Sequence, residues 1–156
     1  MDNRPDLRRI LIPGAVAGIA GGLLMGAYLS LTAGLPQYPN AVALLQFVAS
    51  AAVGKSALGS TDYAWLGLVM HLCVSAGWGI GYAYLAQTRP AIAGGRVDIG
   101  ALFGLVVFVV MQVVLASANS LPPPAVRPIF HEILAHIMFG GAVAAVLRTL
   151  LRRTAA

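Results

Sequence analysis

Four long apolar runs dominate the sequence, at residues 10–35, 63–85, 99 to 117 or 120, and 129–151, each separated from the next by polar, glycine- or proline-containing segments. About twenty apolar residues at ~1.5 Å rise per residue cross a ~30 Å hydrocarbon core, so each run is long enough to span a membrane as a helix. A fifth apolar run, residues 41–53, is too short to span and reads as an interfacial helix, with a re-entrant half-helix as the alternative. The breaks carry their own signals. GLPQYPN at 34–40, QTRPAIAGGRVD at 87–98 and LPPPAVRP at 121–128 contain the proline, glycine and asparagine that stop helices. Thr61 or Asp62 is a plausible N-cap for the second span, and Pro128 suits the first position of the last, where its missing N–H costs nothing. Residues 1–9 are polar, but the run that follows is too long for the ~7–15 residues of a signal-peptide core and no small-x-small cleavage site follows it, so a retained first helix is expected.

Composition agrees with this pattern. The 156 residues are 59% hydrophobic and only 10% charged, against roughly 25% charged in soluble domains, and mean hydropathy is +0.84. The chain therefore reads as one all-α domain, residues 1–156, an integral membrane four-helix bundle with the short helix between spans 1 and 2. The net charge of +5 does not point to nucleic acid, because the arginines sit at the ends of apolar runs. Arg4, Arg8, Arg9, Arg89, Arg96, Arg148, Arg152 and Arg153 fall on one side and only Lys55 and Arg127 on the other, so the positive-inside rule predicts both termini in the cytoplasm. Trp65 and Tyr63 are expected at one interface, Tyr82 and Tyr84 near the other. The single cysteine, Cys73, reads as a small buried hydrophobe, with no disulfide or cysteine cluster available.

Gly14, Gly18, Gly22 and Gly26 recur every fourth residue along the first span, a spacing that lets helix backbones approach closely in lipid. A shift of eighty-six residues pairs Gly14 with Gly100, Gly18 with Gly104, Met25 with Met111 and Leu35-Pro36 with Leu121-Pro122. Spans 2 and 4 share a histidine, at His71 and His136, while a different shift pairs Trp78-Gly79 with Phe139-Gly140. The pattern predicts two tandem two-helix repeats in the same orientation. Gly18→Leu or Gly104→Leu should disrupt packing, and Gly22→Ala should be mild.

Ionisable side chains inside a span are costly and direct attention to function. His71 and His136 each lie seven or eight residues below the outer start of their spans, roughly 10–12 Å deep, in one layer with Met25 and Met111. At about 100° per residue each methionine lies only about 20° from Gly18 or Gly104, on the packing side, whereas His131 is about 140° from His136. Glu132 shares the face of His136 one turn nearer the outside. His71, His136, Met25 and Met111 are thus the candidate cofactor ligands, and His71, His136 and Glu132 the candidate metal ligands. Thioether and imidazole together suit Cu(I), and His/His or His/Met pairs suit haem iron. The structural reading stands beside this one, with methionines as core residues and histidines hydrogen-bonded to Ser75 or Gln112. Spacing of the form His-Glu-xxx-His is not the zinc-protease HExxH, and no phosphate loop or nucleophile elbow is present.

The Gly-xxx-Gly first helices, the short apolar segment between helices and the HIMFGG stretch resemble the small four-span inner-membrane proteins of bacteria. That resemblance implies location and topology, and no activity. The expected function is a non-catalytic small membrane protein or accessory subunit that packs through its glycine faces, against itself or within a larger membrane complex, with haem or copper as candidate cofactors. A small transporter or channel with a His/Glu relay is the alternative. Enzyme activity is less well supported, since no nucleophile, base and oxyanion set assembles.

Overall fold

A computed structural model describes residues 7–32, 40–89, 92, 96–118 and 129–153, with the backbone alone at residue 153. The turn signals at 34–39 and 121–128, both Leu-Pro pairs of the expected repeat, Arg4, Arg127, Pro128 and most of the connection after Arg89 lie outside these residues. All regular structure described is helical. Five α-helices follow one another: α1 (Leu7–Leu31), α2 (Ala41–Val53), α3 (Ala64–Thr88), α4 (Val97–Ser117) and α5 (Ile129–Arg153). Four of them, α1, α3, α4 and α5, are long and apolar enough to cross a membrane.

The helices alternate in direction and are held by glycines. The bare backbone of Gly18 lies against the Ser75 carbonyl, Gly14 stands against Ile80, and Gly79 returns the contact against Gly14 and Gly18. α4 meets α5 in the same manner, with Gly104 against the His136 carbonyl and Gly100 and Gly140 facing each other. α1 also packs along α5, where a Cβ at Gly21 would stand 2.9 Å from the Phe139 carbonyl oxygen. Without a hydrophobic drive between helices in lipid, this close approach supplies the dispersion contacts that hold a bundle together. The glycine faces of α1 and α4 are therefore occupied within the chain. Gly77 and Gly81, by contrast, face open space.

This packing leaves α1 and α5 at the centre, α3 and α4 as flanks, and little contact between the two flanks. At one end α1 begins, α3 ends, α4 begins and α5 ends, gathering Arg8, Arg9, Arg89, Arg96, Arg148 and Arg152. The half of the bundle next to this arginine end is filled by Ile10, Ala17, Tyr82, Ala83, Ala86, Phe139, Val143, Ala144 and Leu147. Tyr82 is fully buried and its hydroxyl donates to the Arg96 carbonyl oxygen at 3.2 Å, so it is a core residue and not the interface anchor expected from its position. Tyr84 and Trp65 do face outward.

α2 lies at the other end, packed chiefly on α3, where Gly67 sits against the backbone of Leu45. Asn40 caps it, its side-chain oxygen accepting from the Ala43 N–H at 2.9 Å. Neither Thr61 nor Asp62 caps α3. Thr61–Tyr63 forms a short 3-10 turn capped by Ser60, which leads directly into the long helix. Cys73 is on the outward face of α3 and not in the core, because α3 buries the opposite face, Ser75, Gly79 and Tyr82, against its neighbours.

Candidate functional site

Because α3 and α4 diverge, a cleft of about 180 Å³ opens between them in the half of the bundle remote from the arginines. α1 contributes Met25, α3 His71, Ser75 and Trp78, α4 Met111 and Gln112, and α5 Glu132 and His136. The four candidate cofactor ligands and Glu132 thus border one space. His131 does not; it faces α1, where its Nδ1 lies 2.8 Å from the Tyr28 hydroxyl in a hydrogen bond. Leu44, Phe47, Val48 and Ala51 of α2 close the far end, a role that apolar run length alone could not reveal. Val74 and Val114 line the cleft from opposite flanks and are 41% and 45% exposed, so they mark a mouth that opens sideways, toward lipid in a spanning bundle.

Toward the arginine end the flanks come together through aromatic rings. Phe103 of α4 lies edge-on to Trp78 at 5.9 Å between centroids and tilted against Tyr82 at 5.1 Å. Edge-to-face contacts of this kind are worth about 0.5–1.5 kcal/mol beyond area burial. Trp78 is both a wall of the cleft and part of its seal.

The polar groups of the cleft are few and specifically held. His71 Nε2 donates to the Gly22 carbonyl oxygen across the α1–α3 contact at 2.9 Å. His136 Nδ1 donates to the carbonyl oxygen of Glu132 on its own helix at 2.7 Å, and Phe108 packs against its ring. Gln112 Nε2 donates to Glu132 Oε2 at 3.3 Å, joining α4 to α5. The expected partners of the histidines, Ser75 and Gln112, are therefore replaced by backbone carbonyls. Each imidazole uses one nitrogen as donor to a carbonyl, so in its neutral form the other nitrogen carries a lone pair. Among the described residues His136 Nε2, His71 Nδ1 and the Ser75 hydroxyl make no hydrogen bond, although Ser75 and His136 are only 5% and 8% exposed.

Among the described residues no three histidine, cysteine, aspartate or glutamate side chains are grouped to hold a metal ion, so His71, His136 and Glu132 border the cleft without forming a three-ligand cage. Sequence reasoning missed Trp78 as part of this site, and placed Ser75 and Gln112 beside the histidines only as hydrogen-bond partners, not as walls of a shared cleft. Ser75 and Trp78 are spaced four and seven residues from His71, one helical face, and that periodicity was the available signal. Comparison with protein-family models, curated proteins and solved structures finds no match for the chain.

Proposed function

We propose that the chain is a small, non-catalytic integral membrane protein of the bacterial inner membrane, an accessory subunit or free-standing binder, which holds a lipophilic ligand in the cleft between α3 and α4. The arginine end lies in the cytoplasm in this reading, by the positive-inside rule, and the cleft belongs to the outer half of the bilayer. The observation that carries it is the cleft, which has apolar walls, a mouth toward lipid and, among the described residues, a Ser75 hydroxyl and a His136 Nε2 that are buried and make no hydrogen bond. Pockets of this kind, mostly apolar with a few convergent polar groups, are where proteins hold small ligands. Passage of a solute through the bundle is less well supported, because the half next to the arginines is filled by an apolar core and closed by Trp78, Tyr82 and Phe103. The outward faces of α3 and α4 remain for lipid or for helices of a larger complex.

Trp78 provides the test, since Trp65 is the only other tryptophan and faces outward. In a Trp65→Phe background, vesicles of brominated phosphatidylcholine should quench Trp78 strongly, and Val114→Phe, which fills the mouth, should relieve that quenching. Fluorescence of the Trp65→Phe protein that is indifferent to brominated lipid would show a cleft sealed from the bilayer and end this reading.

A further inference from the structure

The identity of the ligand can be narrowed by size, by hydrogen-bond chemistry and by what surrounds the polar atoms. An apolar cavity of about 150 Å³ is enough to hold benzene, so a space of about 180 Å³ suits one substituted ring. A porphyrin, with four pyrrole rings, does not fit a space of that size, and His71 Nε2 is already committed to the Gly22 carbonyl. A soft cation fits the three methionines Met25, Met70 and Met111 and the two imidazole lone pairs by chemistry. Metal bonds to nitrogen and sulfur of about 2.0–2.3 Å would require these lining residues to be drawn together, and no three histidine, cysteine, aspartate or glutamate side chains among the described residues are grouped to hold an ion.

The lone pairs decide the hydrogen-bond character. Both imidazoles spend their N–H on backbone carbonyls, so what remains toward a ligand is acceptor capacity. The Ser75 hydroxyl, 5% exposed and without a partner among the described residues, can donate to a ligand oxygen. A buried polar group without a partner is costly, and more so in an environment that excludes water. The complementary ligand group is a hydroxyl, which gives its hydrogen to an imidazole and accepts from serine. Trp78, Phe139 and Phe47 supply apolar and aromatic walls for the ring, and the mouth between Val74 and Val114 lets a hydrocarbon tail lie in the bilayer.

We propose that the cleft binds a lipid-soluble phenol or quinol, with its ring beside Trp78 and its hydroxyl group satisfying His136 and Ser75. This deepens the ligand-binding reading above and rests on it. No redox step is part of the inference.

The experiment uses the full-length Trp65→Phe protein in lipid nanodiscs under nitrogen, with Trp78 fluorescence as readout. Two probes are titrated, trimethylhydroquinone and its dimethyl ether, which has the same ring and no hydroxyl donor. Trimethylhydroquinone should quench saturably and the ether should bind at least about tenfold more weakly, the size of effect expected from one lost hydrogen bond to a buried acceptor. Ser75→Ala and His136→Leu should each narrow the gap between the two probes, and Ala51→Phe, which fills the cleft from α2, should abolish both. Equal binding of both probes would overturn the phenol inference and leave the lipophile-binding cleft standing. Quenching by neither probe would overturn it as well, and the brominated-lipid measurement then decides whether the cleft itself survives. Stoichiometric retention of silver(I), lost in Met25→Leu and Met111→Leu, without saturable quenching by either probe would assign the cleft to a soft cation instead.

Discussion

Gly18 and Gly104 lie with their Cα hydrogens against backbone carbonyls, of Ser75 and of His136, and backbone cannot turn aside as a side chain can. Gly18→Leu and Gly104→Leu should therefore force whole helices apart and lower stability toward the upper end of the ~1–3 kcal/mol that overpacking costs, read as a loss of the folded band in detergent denaturation. Gly22→Ala, mild by spacing alone, is not mild here, because the new methyl would stand 2.7 Å from Ser75 Cβ as well as against its hydroxyl. Gly77→Ala is the control. Its position is open, so removing a helical glycine should leave stability unchanged or raise it by up to about 1 kcal/mol. The spacing of these glycines was legible in the sequence, but Gly77, Gly79 and Gly81 look alike there, and only the rotation of α3 about its axis separates a contact from a surface. The same holds at the histidines. Counting residues placed both in one layer, and both do border one cleft, but which ring nitrogen is occupied depends on carbonyls of Gly22 and Glu132 that no side-chain pattern encodes.

At the scale of elements, α2 was the most legible, its apolar run matching the helix Ala41–Val53 from end to end because Asn40 caps one end and Gly54, at φ 75°, stops the other. The long helices extend past their apolar runs toward the arginine end. α1 begins at Leu7 and so includes Arg8 and Arg9, and α4 begins at Val97, where Arg96 and Asp98 form an exposed ion pair of 2.6 Å. Hydropathy marks what lipid tolerates, whereas hydrogen bonding lets a helix continue into the polar zone. What could not be read was where α2 goes, because nothing in a thirteen-residue apolar run names α3 as its partner. Gly67 is the seat of that contact, with the Leu45 backbone directly against it. Gly67→Leu should release α2 while sparing the α1–α3 and α4–α5 pairs, so hydrogen exchange should rise over Ala41–Val53 and stay unchanged in α5. Protection of α2 equal to that of the parent protein would show that α2 is held by something other than this contact.

For the whole molecule, the two ends differ chemically in a way the bundle makes unambiguous. Alternating helix directions bring Arg8, Arg9, Arg89, Arg96, Arg148 and Arg152 to one end, and Lys55 and Asp62 to the end where α2 packs. Short segments rich in arginine are retained on the cytoplasmic side, and moving even one charge across the membrane potential costs about 2.3 kcal/mol per 100 mV, so an inverted arrangement would set six arginines against both effects. In the orientation we propose, the cleft and α2 face the outer leaflet, and a ligand entering between α3 and α4 would arrive from the outer half of the bilayer. Single cysteines test this in a Cys73→Ser background, Cys73 being the only native cysteine and on an outward face. Lys55→Cys should react with a membrane-impermeant maleimide added to intact cells, whereas Arg148→Cys should react only after the membrane is opened. The reverse pattern would place the cleft in the cytoplasmic leaflet, and labelling of both positions in intact cells would mean that the two ends are not on opposite sides of the membrane.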